Sequence, residues 1–325
     1  MARRRHFSKD DYTVGWICAL PVELAAAQEM LDEEHGTSIT GPNDNNIYSL
    51  GRIGEHNIVI ACLPDGETGT SSAAVGAAQI QLAFPSIRFG LMVGVGGGVP
   101  TTDSDIRLGD VVVSRPENTH SGVVQYDFGK STPSGFTRTG FLNAPPKVLR
   151  NAVSQLRARH MREEGQFLEY VAKFDRLPTF TREYAGPDIL FKSDYDHVGG
   201  PTCDECEKTE ISQRPPRSQG ISIVHYGAIA SGNQVMRNAA ERDRVSAGLG
   251  GVLCFEMEAA GLMNEFPCLV IRGICDYSDS HKNKKWQPYA SGVAAAYAKE
   301  LLSVIPSTQV KEAPAVEEII SRERG

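Results

Sequence analysis

The stretch "VLCFEMEAAGLMNEFPCLVIRGICD" runs from Val252 to Asp276, and it sets Glu256 and Glu258 either side of Met257 in an otherwise apolar run. Burying an unpaired carboxylate is costly, so acids in such a place are paired, solvated or used. "LCFEME" reads as a strand running into a helix over "AAGLMNE", and the period of two puts Glu256 and Glu258 on one face. Two like charges on one face need a wet cleft or hydrogen-bond donors. "PCLVIRGICD" reads as the next strand. It carries Asp276 to its C-terminal end, where open α/β sheets present ligand-binding residues. Arg272, four residues earlier, falls on the same face by the same period.

Working outward, "YTVGWICAL" (Tyr12 to Leu20) reads as a buried first strand, and "PVELAAAQEML" starts a helix with proline in its first turn. "NIYSLGRIGEHNIVIACLP" reads as two strands joined at Gly54 to His56, and "GTSSAAVGAAQIQLAF" as a small-residue helix. "FGLMVGVGGGVP" is an apolar strand ending in Gly96, Gly97 and Gly98, and "LGDVVVS" supplies another strand. "PKVLRNAVSQLRARHM" is an amphipathic helix, Asn238 to Ala247 a further helix, and "YASGVAAAYAKELLSVI" an alanine-rich one. Short apolar strands alternating with helices predict an α/β domain around a buried sheet. The division expected is a flexible start over residues 1–10, one domain over 11–308 and a charged tail over 309–325. Residues 165–220, rich in Pro, Gly and polar side chains, read as an inserted, partly mobile excursion.

The 325 residues are 41% hydrophobic and carry a net charge of -7, which suits a large core and excludes a general basic surface for nucleic acid. Arg3 to Arg5 form a basic cluster with no apolar run behind it, so a secretory signal is not expected. No stretch reaches the roughly 18–20 apolar residues that cross a bilayer. Five of the seven cysteines sit in strand-like apolar runs, and the odd count fits a reducing compartment. The expectation is a cytoplasmic protein without membrane or nucleic-acid partners.

Two motifs test poorly as metal or dinucleotide sites. "VGVGGGVP" lacks the G-x-G-x-x-G spacing and no helix follows it, so close approach of a sugar or base is the better use of its glycines. "CDEC" at Cys203 to Cys206 supplies two ligands where a structural zinc needs four. His197 and His225 lie nearby in sequence, but free thiols are the expectation, with no metal.

"FEMEAAG" followed by "VIRGICD" resembles the ribose and base signature of the nucleoside phosphorylase and nucleosidase superfamily. That superfamily includes purine and uridine phosphorylases and the nucleosidases for methylthioadenosine and adenosylhomocysteine. "ICALPVEL", "VGVGGGVP", "LGDVVVS" and "YGAIASGNQV" come in the matching order, and the likeness covers roughly residues 11–305 less the excursion. "GNQVM" and "DYSDSHKNKKWQPYA" are most similar to the fungal branch, which is found alone or as the N-terminal domain of larger proteins. The resemblance implies a three-layer α/β/α fold with a central mixed, twisted sheet, a homo-oligomer, and no organic cofactor or metal.

It also implies roles. Glu258 would accept hydrogen bonds from the ribose hydroxyls, with Met257 packed against the sugar, and Asp276 would protonate the purine as it leaves. That second role needs a carboxyl that carries a proton, which the apolar "VIRGIC" would favour. Phosphorylases place arginines where this chain has Glu23 and Met92, while nucleosidases place a water-activating glutamate at the Glu23 position. The serine that the phosphorylases use after the glycine turn is Val95 here. The stacking phenylalanine is replaced by Val235, beside Asn233 and Gln234, so Phe255 or the excursion would stack on the base. The implied activity is a purine nucleoside N-ribohydrolase acting on adenosine or a relative. Two alternatives stand: a phosphorylase holding phosphate as co-substrate on Gly96, Thr70 and Ser71, and a non-catalytic nucleoside-sensing domain of a signalling protein.

Overall fold

The computed structural model describes residues 5–36, 44, 46–117, 119–133, 135–217 and 222–318. Its strands are β1 (Val14–Cys18), β2 (Glu33–Glu34), β3 (Tyr48–Ile53), β4 (His56–Cys62), β5 (Phe89–Gly98), β6 (Val111–Ser114), β7 (Val123–Gln125), β8 (Gly129–Thr132), β9 (Gly135–Arg138), β10 (Val224–Gly227), β11 (Ile229–Ser231), β12 (Cys254–Glu256) and β13 (Cys268–Asp276). The helices are α1 (Pro21–Glu29), α2 (Thr70–Ala83), α3 (Lys147–Met161), α4 (Phe167–Ala172), α5 (Arg182–Ala185), α6 (Ala239–Gly248), α7 (Gln287–Ser303) and α8 (Ser307–Glu312).

The main sheet runs β10-β6-β13-β5-β1-β4-β3-β2, and β12, β11 and β7 branch from the far end of β5. β5 lies parallel to both β1 and β13, while β13–β6, β3–β4 and β12–β5 are antiparallel, so the sheet is mixed. The central strands are buried along almost their whole length, as the apolar runs require for a sheet covered on both faces. One face packs on α7, whose residues from Tyr289 to Leu302 are all buried; an alanine-rich helix with no polar face must lie inside. Its two charged residues are paired there: Lys299 Nζ lies 2.5 Å from Asp32, and Glu300 lies 2.8 Å from His160. The other face holds α2 side chains Ala73, Ala77 and Ile80 with Leu262, Met263 and Phe266.

Four expectations are corrected. The run after "FEME" is a single 3₁₀ turn over Ala259–Gly261, not a helix, because Gly261 and then Pro267 leave no room for a regular one. The first part of the excursion is not loose: Phe167, Phe174, Phe180 and Ala185 belong to the main core against α7. Aromatics spaced through a polar segment were the sign of this. The start is packed from Phe7, whose ring lies 4.4 Å from that of His35; residues 1–4 lie outside the described residues. The tail docks as far as Val316, which is buried and whose N–H donates to the Ile87 carbonyl at 3.0 Å. Residues 319–325 lie outside the described residues.

Candidate functional site

The C-terminal ends of β1, β5 and β13, together with β12, open onto a cavity of about 340 Å³. Its wall includes Glu23, Val95, Gly96, Gly97, Val235, Phe255, Glu256, Met257, Glu258 and Asp276. Sequence reasoning thus gathered residues from five separate stretches that the fold does bring together.

Glu23 is placed by the start of α1. It is the third residue of the helix, after Pro21, and its Oε2 turns back to accept from the N–H of Ala19 at 2.7 Å and of Leu20 at 3.0 Å. These are donors that a helix start leaves without partners. Oε1 accepts from the Val95 N–H at 2.7 Å, so the carboxylate is clamped between α1 and β5. Burial raises its pKa above the ordinary carboxylate value, against the pull of Arg272 and of the three N–H donors. A carboxylate so placed is not a surface acid serving the helix dipole alone.

Arg272 is fully buried behind the cavity. Its guanidinium pairs with Glu256 and lies 3.4 Å from Glu258. Glu256, which had no role on sequence grounds, therefore has one: it binds Arg272 and accepts from the N–H of Glu258 at 3.2 Å and of Ala259 at 3.0 Å. It holds the turn that presents Glu258. Glu258 Oε1 also accepts from the Gly69 N–H at 3.3 Å. Burial first, then the charges of Glu256 and Glu23, push Glu258 up to about 7, with Arg272 opposing them. The like charges anticipated on one face are thus answered by a single cation.

Arg272 and Asp276 do not share a face. A register shift in the β5–β13 pairing lies between Ile274 and Asp276, and such a bulge re-aims the side chains beyond it. Asp276 turns toward Gly97 and accepts from the Ser278 N–H at 2.8 Å. Its setting is not the apolar one expected: Lys282 Nζ lies 3.0 Å away, an ion pair that nothing in the "VIRGIC" strand signals. Lysine six residues on, in the charged loop "SHKNKKW", returns to the strand end. Gly94 and Gly97 allow this crowding. A Cβ at Gly94 would sit 2.3 Å from Glu23 Oε1, and one at Gly97 would sit 2.5 Å from Asp276 Oδ1. The glycines of β5 make room for acids of this chain.

Three candidate residues, Thr70, Ser71 and Asn233, are not in the wall. Thr70 donates its N–H and hydroxyl to Asn233 Oδ1, both at 3.0 Å. The pair ties the start of α2 to the "SGN" turn beside the cavity. Ser71 also lies outside the wall, whereas Thr68 lines it. Phe255 lines the cavity edge-on to Tyr126, with ring centroids 5.3 Å apart. Three cations missed from sequence, Arg237, Lys282 and Lys284, also line it; charged loop residues carry no periodic signal.

A family model described as the phosphorylase superfamily matches residues 13–304. A nucleotide-binding leucine-rich repeat (NLR)-like protein of the fungus Hyaloscypha variabilis is 48% identical over 95% of this chain, which spans only 31% of that protein. A 5′-methylthioadenosine/S-adenosylhomocysteine nucleosidase of Mycobacterium bovis is 24% identical over 90% of this chain and 97% of its own. Among solved structures, a putative nucleosidase of that type from Borrelia burgdorferi, bound to adenine, superposes with a TM-score of 0.60. It has 17% identity and covers 90% of this chain and 100% of its own. The Streptococcus pneumoniae nucleosidase with a transition-state inhibitor gives 0.58 at 18% identity, covering 90% and 100%. These structures share the fold. Among the described residues, no helix is long and apolar enough to cross a membrane.

Proposed function

The chain belongs to the phosphorylase superfamily, and we propose that within it this protein hydrolyses the N-glycosidic bond of a purine nucleoside. The observation that carries the reading is Glu23: a buried carboxylate in the cavity wall, clamped by three backbone N–H groups. A carboxylate there repels a phosphate dianion, whereas a raised pKa suits a base that takes a proton from water. In this reading Glu258 accepts from the ribose hydroxyls and, when ionised, favours the positive charge that develops on the sugar. Asp276 stands at the base: once the ion pair with Lys282 opens, its carboxylate takes up a proton from solvent and passes it to the leaving base. The nucleosidases among the relatives support this class of reaction.

The acid limb of the pH profile follows from the raised carboxyls. Both Glu23 and Glu258 act ionised, and both hold their protons to higher pH than an ordinary carboxylate. kcat/KM is therefore expected to fall as pH drops through about 7, and the fall should begin well above the ordinary carboxylate range. A rate that stays level down to about pH 5 would remove the ionised pair from the mechanism.

Phosphorolysis is favoured by one observation, the cations Arg237, Lys282 and Lys284 in the cavity wall. They suit a phosphate group, whether as attacking nucleophile or as a 5′ substituent of the substrate. A panel of adenosine, inosine and adenosine 5′-phosphates, each with and without inorganic phosphate, separates the two. Free base and unphosphorylated C1 without added phosphate support hydrolysis; turnover only with phosphate, giving a sugar 1-phosphate, sinks it. The NLR-like relative, about a third of which this chain spans, supports a place for the domain in a signalling protein. Binding without turnover across the panel would make it a sensor rather than an enzyme.

A further inference from the structure

We propose that Cys203, Cys206, His197 and His281 form a structural zinc site that clamps the loop following Asp276, which bears Lys282, to the 195–206 segment. The first three come together although His197 lies six residues before Cys203: their ligand atoms all lie within 4.8 Å of one another. Both cysteines are free thiols, and the C-x-x-C turn closes by a Cys206 N–H bond to the Cys203 carbonyl at 3.2 Å. Tetrahedral zinc, with bonds of about 2.0–2.3 Å, spaces its ligand atoms by somewhat less than this. Side-chain rotation closes the difference.

His281 supplies the independent sign. It is 9% exposed, and neither ring nitrogen has a hydrogen-bond partner. A buried imidazole with both nitrogens unsatisfied is costly. Its ring stacks on Phe191 at 4.0 Å and stands edge-on to His197 at 5.6 Å between centroids. His281 and Cys203 line one cavity. Asp279 Oδ2 lies 3.7 Å from His281 Nδ1, so a modest closure makes the carboxylate–histidine pair that orients a zinc ligand, leaving Nε2 for the metal.

His197 is oriented in the same manner. Its Nε2 lies 3.0 Å from the Thr202 carbonyl, and its Nδ1 accepts from the exposed Gly199 N–H at 3.0 Å. With Nε2–H donating to that carbonyl, Nδ1 is the ligand, and the Gly199 N–H passes to water. Two soft thiolates with two imidazoles select zinc over harder divalent ions. The backbone already joins the two segments where the clamp would act, since the His197 N–H donates to Ser280 Oγ at 3.0 Å. His225, the other nearby histidine, instead lies 2.9 Å from Asp110.

The test uses the whole chain, purified reduced, stripped with chelator and reloaded with zinc chloride. Metal is counted by elemental analysis and native mass spectrometry. One zinc per chain is expected, with thiolate-to-metal absorption when cobalt(II) replaces it. Binding should be lost in Cys203→Ser/Cys206→Ser and kept in His225→Ala. Asp279→Asn, which leaves all four ligands in place, should weaken zinc by roughly 10–100-fold. Far-ultraviolet circular dichroism checks that each variant is folded. A wild-type chain that takes up no stoichiometric zinc, a Cys203–Cys206 disulfide persisting under reduction, or zinc retained by the folded double variant would each overturn the site. None of these readouts depends on nucleosidase activity, so the clamp and the proposed reaction fail separately.

Discussion

Glu23→Gln should lower kcat by roughly 10²–10⁴-fold, the range lost with a general base, while nucleoside binding persists. Glutamine preserves the size of the side chain and its place at the head of α1, but it cannot take a proton from water. Its hydrogen bonding is also informative. The carboxylate accepts from Ala19 and Leu20 on one oxygen and from Val95 on the other. An amide offers only one acceptor oxygen, so at least one buried N–H meets an NH₂ group. That mismatch costs about 1–3 kcal/mol of stability, visible as a lowered melting temperature. A variant that is less stable, binds substrate and no longer turns it over fits the account. One that is less stable but fully active would leave Glu23 as a clamp between α1 and β5 only.

Arg272→Met is the larger structural lesion. The guanidinium is fully buried against Glu256 and within 3.4 Å of Glu258. Methionine keeps the apolar stem but leaves two buried carboxylates without a cation, and breaking such a pair costs about 3–5 kcal/mol. Chemical denaturation at neutral pH should show a loss of that order. Adding Glu256→Gln should return part of it, because the second change removes one of the stranded charges. The coupling in this double-mutant cycle is the informative quantity. Simple addition of the two losses would show that Arg272 acts by packing alone, and that its charge does not hold the glutamates.

Much of this was legible in the chain. Short apolar runs placed β1, β5 and β13, proline in the first turn placed the start of α1, and the family resemblance singled out Glu23 within it. The resemblance put the acids of "FEMEAAG" and "VIRGICD" at one cleft, and the fold puts Glu258 and Asp276 in one wall. What escaped was of two physical kinds. Some features depend on a departure from regular geometry, such as the bulge before Asp276 that separates it from the Arg272 face. Others depend on long-range closure by irregular segments: Lys282 reaching Asp276, Phe174 and Phe180 entering the core, Val316 docking beside Ile87. Periodicity is silent on both, because a loop's destination is set by the surface it meets and not by its own pattern. The polar composition of residues 165–220 hid the aromatics that anchor their first part.

The claim on which the rest depends is that water, admitted beside Glu23, attacks the anomeric carbon. Turnover in heavy-oxygen water, with the released sugar examined by mass spectrometry, tests it most directly. Incorporation of one heavy oxygen at C1 of the free sugar, in phosphate-free buffer and slowed by roughly 10²–10⁴-fold in Glu23→Gln, is the result predicted. An unlabelled sugar 1-phosphate, formed only when phosphate is added, would contradict it.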